Sequence, residues 1–105
     1  MKLPDTVKNL IKAQEKSDAT TYAACFSETA TVLDEGHTYQ GRSAIENWID
    51  NANKQFKTVM KPVDYVDTEN ILQAEVSGDF PGSPVVLSYH FTFENNLIRS
   101  LKITV

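Results

Sequence analysis

The sequence predicts an α+β fold in which three helices of the N-terminal half pack on a curved, mostly antiparallel sheet. Three observations lead there. Apart from one alternating stretch at Thr29–Asp34, apolar residues recur at helical spacing as far as Ala52 and at every second position beyond Phe56. The links of the second half, Asp67–Asn70, Pro81–Pro84 and Asn95–Asn96, are short and polar, which joins neighbouring strands antiparallel. With 105 residues, 41% hydrophobic and 23% charged, the chain supports one core, so a single domain over 1–105 is expected.

Each element has a local reason. Pro4 suits the first turn of a helix and Asp5 its positive end, and Val7, Leu10 and Ile11 then share a face, giving a first helix over Pro4–Glu15. Asp18 suits an N-cap, and Ala19, Tyr22, Ala23 and Phe26 follow the i, i+3, i+4, i+7 rule of a second short helix. Thr29–Asp34 reads as a strand, with Ala30, Val32 and Asp34 on one face and Thr31, Leu33 and Glu35 on the other. Gly36 and Gly41 bracket a loop. Ser43-Ala-Ile-Glu46 then has the capping-box pattern, which starts a third helix with a buried stripe of Ile45, Trp48, Ile49 and Ala52, ending before Phe56.

Four extended segments follow, at Phe56–Val66, Ile71–Gly78, Val85–Phe93 and Leu97–Val105. In the third, Val85, Leu87, Tyr89, Phe91 and Phe93 make one apolar face, and in the last Arg99, Leu101, Ile103 and Val105 share a parity. Pro62 has no N–H for a ladder, which places its segment at an edge or at a bulge.

Charge and cysteine content narrow the function classes. The net charge of −4 comes with basic residues scattered singly, so nucleic acid is not an expected partner. No apolar run approaches the roughly eighteen residues of a membrane span, and Met1–Lys2–Leu3–Pro4 lacks the apolar stretch of a signal peptide. No membrane association is expected, and the expected location is cytoplasmic. Cys25 is the one cysteine, and together with His37 and His90 it does not complete a zinc site, so neither a metal nor a cofactor is expected.

Asp34 is the position most suggestive of chemistry, because its parity sets a carboxylate beside Ala30 and Val32 on the inward face. Burial there raises a carboxyl toward the working range of a general base. Alternatively the strand ends at Asp34, which then caps the following turn in water.

The run Asp18-Ala-Thr-Thr-Tyr-Ala-Ala-Cys-Phe-Ser-Glu-Thr-Ala-Thr-Val-Leu-Asp34-Glu-Gly, followed by Tyr39-Gln-Gly-Arg-Ser-Ala-Ile-Glu-Asn-Trp-Ile49, resembles the nuclear transport factor 2-like (NTF2-like) superfamily. More narrowly it is similar to the SnoaL-like branch, which also holds ketosteroid isomerases and polyketide cyclases. The resemblance continues through Gly78-Asp-Phe-Pro-Gly-Ser-Pro84 and Phe91-Thr-Phe-Glu-Asn-Asn-Leu-Ile98. It implies a cone-shaped, cystatin-like α+β barrel with an apolar pocket open at one end. It also implies that Asp34 stands where ketosteroid isomerase carries its general-base aspartate. Of that isomerase's oxyanion hole, a tyrosine and a protonated acid, the tyrosine position falls on Leu10 and the acid position on Tyr89. Tyr89 therefore carries over as a single donor.

The expected pocket lining is Leu10, Tyr22, Phe26, Val32, Trp48, Met60 and Phe91. His37 either tunes the Asp34 proton or is a solvated loop residue, and Arg42 either pairs with Asp34 or Glu35 or stands in water. Two functions fit. In one, a small, largely apolar molecule bearing a carbonyl or hydroxyl binds, and Asp34 moves a proton beside the carbonyl while Tyr89 holds the oxygen, as in isomerases and cyclases. In the other, the same fold is a non-catalytic binding or interaction module. A homodimer through the outer sheet face, where Val86, Ser88, His90 and Thr92 lie, is the expected assembly.

Overall fold

The structure, a computed structural model, describes residues 2–105. Along the chain come α1 (Asp5–Glu15), α2 (Ala19–Ala24), β1 (Phe26–Asp34), β2 (His37–Gln40), α3 (Arg42–Phe56), β3 (Val59–Val66), β4 (Ile71–Ser77), β5 (Val85–Glu94) and β6 (Leu97–Thr104). The six strands form one unclosed sheet in the order β2-β1-β6-β5-β4-β3. Only β1 and β6 run parallel; every other neighbouring pair is antiparallel. This is the expected α+β fold, with the helices covering one face of the sheet.

The helices begin much as their caps dictate. The Asp18 carboxylate accepts from the Thr21 N–H at 3.1 Å, so α2 starts at Ala19. Phe26, expected on that helix, instead opens β1. Its carbonyl accepts from the Arg42 guanidinium at 2.7 and 3.1 Å, and the Ile98 N–H donates to the Cys25 carbonyl at 2.9 Å, so sheet and side-chain partners replace the next helical bonds. The loop expected between Gly36 and Gly41 is mostly strand. Glu35 and Gly36, at φ 52° and 77°, make the two-residue left-handed turn that suits a tight hairpin, and β2 folds back so that His37 pairs with Asp34.

The expected capping box does not form. Gly41, at φ 90° and ψ 153°, is the N-cap of α3, and its N–H donates to Ala30 at 2.8 Å. The helix thereby starts two residues early, Ser43 lies inside its first turn, and Glu46 accepts from the Thr20 hydroxyl at 3.3 Å instead. The same helix continues through Phe56 rather than ending before it, closing on Lys57 in the left-handed conformation.

Pro62 satisfies both expectations at once: β3 is an edge strand, and its register slips between Pro62 and Asp64. A second slip corrects the reading of β6. Thr92 pairs with Ser100 but Phe93 with Ile98, so Arg99 is left over as a bulge. The bulge inverts parity, putting both Ile98 and Leu101 in the core and leaving Arg99 exposed. Val105, 97% exposed, lies past the strand and not on its buried face. The core joins Val7, Leu10 and Ile11 of α1, Tyr22 and Ala23 of α2, and Ile45 and Ile49 of α3 to Phe26, Ala30, Val32, Leu72, Ala74, Phe91 and Leu101 of the sheet. Each fully buried side chain of this size contributes roughly 1.5–3 kcal/mol. Among the described residues no helix is long and apolar enough to cross a membrane.

Candidate functional site

The core does not fill all the space between helices and sheet. A cavity of about 980 Å³ remains, walled by Tyr22 of α2, Trp48, Ile49 and Phe56 of α3, Met60 of β3, Val85, Leu87 and Tyr89 of β5, and Ile103 of β6. That is room for a drug-sized molecule. Exposed Glu35, Gly36, Pro81, Gly82 and Lys102 stand around it. Phe80 meets Phe56 edge-on, 6.1 Å between ring centres and 86° between planes, and so holds the β4–β5 connection against α3.

Asp34 ends β1 on the cavity wall, half-buried. Burial pushes its carboxyl above the usual range and the neighbouring Glu35 charge pushes the same way; the Trp48 indole N–H, which faces it, and His37 pull it back. Tyr89 is buried, and burial first, then the Asp34 charge, pushes its hydroxyl upward. Tyr22 shifts the same way, through burial and then its neighbours Tyr89, Cys25 and Asp34. Both tyrosines thus stay protonated donors. Trp48 is held between Tyr39, stacked at 5.6 Å, and Tyr22, edge-on at 6.2 Å.

Of the expected lining residues, Tyr22, Trp48 and Met60 border the cavity. Leu10, Phe26, Val32 and Phe91 do not: the first three are fully buried beneath it, and Phe91, 3% exposed, stacks between Tyr89 at 6.5 Å and Phe93 at 5.8 Å. Parity located the inward face but not which inward residues the helices leave uncovered. Arg42 pairs with neither Asp34 nor Glu35; its guanidinium reaches the Phe26 carbonyl, because the early start of α3 points it back along β1. His37 is exposed, on the edge strand opposite Asp34. His90 alternates with buried Tyr89 and Phe91 and so lies on the outer sheet face, half-buried, its Nε2 3.0 Å from the Thr104 hydroxyl.

Sequence reasoning missed Phe56, Phe80 and Gln14, all of which border the cavity. Gln14 left a signal: with Val7, Leu10 and Ile11 it completes the i, i+3, i+4, i+7 stripe of α1, a polar residue on an apolar face. Among the described residues no group of three or more His, Cys, Asp or Glu side chains is placed to hold a metal ion.

A half-open α+β cone with one raised carboxyl and two buried tyrosines on its cavity wall defines the class to which the solved structures also point. A Sinorhizobium meliloti protein provisionally named a polyketide cyclase superposes with a TM-score of 0.91 at 38% identity, over 97% of this chain and 95% of its own. A Catenulispora acidiphila protein of ketosteroid isomerase-like fold, solved in complex with trimethylamine, gives 0.85 at 17% identity over 99% of this chain and 87% of its own. A cystatin-fold protein from Novosphingobium aromaticivorans gives 0.81 at 16% identity over 100% of this chain and 99% of its own. No family model and no curated protein matches the sequence. On the 38% relative and the shared fold, the chain belongs to the NTF2-like superfamily, in its SnoaL-like branch.

Proposed function

We propose that the cavity binds a small, largely apolar molecule bearing a carbonyl and that Asp34 moves a proton at the adjacent carbon, in the manner of an isomerase or cyclase. The observation that carries this is the half-buried Asp34 carboxyl, raised above its ordinary range on the wall of a mostly apolar cavity that also holds Tyr89. Asp34 takes the proton, Tyr89 donates to the oxygen on which negative charge develops, and Tyr22 supplies the second donor that the Leu10 position does not. The proton then returns from Asp34 to a carbon of the same molecule, so nothing else is consumed.

The test has two parts. Carboxyl-carbon NMR should place the Asp34 midpoint above the reference of about 3.9. Wild-type protein should accelerate deuterium exchange beside the carbonyl of 2-tetralone, and Asp34→Asn should lower that rate about a hundredfold or more. A reference midpoint together with equal exchange by both proteins refutes the catalytic reading.

One observation favours an assembly as well. The sheet face away from the helices exposes Val59 at 62% and Val86 at 48%, and pairing copies of this chain there would cover them. Sedimentation of a strict monomer at micromolar concentration would exclude it.

A further inference from the structure

The cavity has a second polar place, far from Asp34. Gln14, on the apolar stripe of α1 and only 6% exposed, borders the cavity where α3 runs into β3. Its Nε2 donates to Asn53 Oδ1 at 2.9 Å and to the Thr58 hydroxyl at 2.8 Å, and that hydroxyl lies 2.9 Å from Asn53 Oδ1. These bonds fix the amide and exhaust its donors. They leave Gln14 Oε1, on a residue that borders the cavity, a buried acceptor with no partner among the described residues, and Asn53 Nδ2 is likewise unmet. A buried, unpaired amide oxygen costs stability unless something supplies a donor. A leucine or methionine would complete the α1 stripe without that cost, at the loss of the bonds that tie α1 to Asn53 and Thr58.

The position sets the length of what it would meet. Asp34 lies on β1 and Thr58 directly precedes β3, four strand steps away in the sheet order. At about 4.8 Å per step that is roughly 19 Å along the sheet, less across its curve. The wall between is apolar: Met60, Val76, Val85 and Leu87.

Resting on the reading above, we infer that the Gln14–Asn53–Thr58 cluster is a subsite for a hydroxyl at the far end of an elongated, otherwise apolar carbonyl compound. A hydroxyl fits because it both donates and accepts. With the amides as placed it donates to Gln14 Oε1; with both amides turned over, it accepts from the freed N–H instead. The preferred ligand is therefore two-ended, a carbonyl beside Asp34 and Tyr89 and a hydroxyl beside Gln14.

Two three-ring probes, long enough to approach the span from Asp34 to Gln14, separate this subsite from the reading it rests on: 4-acetyl-p-terphenyl, which carries only the carbonyl, and 4-acetyl-4″-hydroxy-p-terphenyl, which carries both groups. Binding is read by quenching of Trp48, the chain's one tryptophan, which borders the cavity. Wild-type protein should bind the hydroxylated probe about tenfold more tightly, the usual effect of pairing one buried group. Gln14→Met should abolish that preference, so that the two probes bind with equal affinity. Equal affinity of wild type for both probes overturns the subsite, with water the better occupant, yet leaves the carbonyl-binding reading standing. Binding of neither probe overturns both. Should Gln14→Met not fold, the wild-type preference decides, together with the Gln14 side-chain amide resonances, which should shift with the hydroxylated probe alone.

Discussion

Gly78→Ala should destabilise this protein by about 2 kcal/mol although it adds a single methyl group. A Cβ at Gly78 would lie 2.5 Å from the Phe56 carbonyl oxygen, 3.3 Å from Thr58 Cα and 3.4 Å from the Lys57 carbonyl oxygen, all of them backbone. Backbone cannot rotate aside as a side chain can. The same crossing is tied by the Asp79 N–H donating to Phe56 at 2.6 Å and the Gly78 N–H donating to the Ser83 hydroxyl at 3.0 Å. Overpacking of this kind costs about 1–3 kcal/mol, and the absence of any yielding neighbour puts Gly78 near the top of that range. Alanine returns about 0.4–1 kcal/mol by restricting the unfolded chain, which leaves about 2 kcal/mol. For a domain this size that is a fall of about 8–16 °C in Tm. Thermal and urea unfolding followed by circular dichroism measure it. A melting point within about 2 °C of wild type would show that α3 and β4 do not cross this closely.

Three further predictions rest on other parts of the fold. Arg42→Met should cost about 1.5–3 kcal/mol in urea unfolding, because it strips two charge-assisted bonds from the Phe26 carbonyl; an effect below about 0.5 kcal/mol would show the clamp to be idle. Asp18→Ala should cost about 1 kcal/mol through loss of the α2 cap, read in the same way, and a neutral result would contradict the bond to Thr21. The raised Asp34 carboxyl binds its proton more tightly folded than unfolded, so its contribution to stability falls as pH rises from the unfolded value through the folded one. Asp34→Asn should therefore be more stable than wild type at pH 8, by a margin that closes toward about pH 4; a margin independent of pH would place Asp34 in water.

Much of this was legible in the residues because local and global preferences agree. The alternation of Val85, Leu87 and Tyr89 is that of a strand covered on one face, and the charge of Asp34 on the inward parity of Thr29–Asp34 pointed to a residue that borders the cavity. The misreadings fall where two local signals competed. Ser43 and Glu46 spell a capping box, but Gly41 can adopt a φ of 90° and bond to Ala30, and so starts the helix first. Phe26 fits a helical stripe, yet its carbonyl belongs to Arg42, sixteen residues on. Arg99 breaks the parity of β6 because a bulge absorbs one residue, which no period-two pattern records. Pocket membership was the least legible feature. Leu10 and Phe91 are as apolar as Leu87, and only the placement of the helices decides which of them faces empty space.

The position of β6 governs how the molecule can come into being. The strand latest in sequence is not at the margin of the sheet but near its middle, with β1 on one side and β5 on the other, and Val32 finds Leu101 about seventy residues away. During synthesis the β1–β2 hairpin and the β3–β4–β5 meander are made as two separate pieces, each with an unpaired inner edge. Neither edge is covered until Leu97–Thr104 leaves the ribosome and slides between them like a keystone. The chain is thus most exposed to misassociation before β6 takes its place in the sheet. For the same reason the gap between β1 and β5 is a natural cut point, where a chain ending at the Asn95–Asn96 turn would be completed by a β6 peptide supplied from outside.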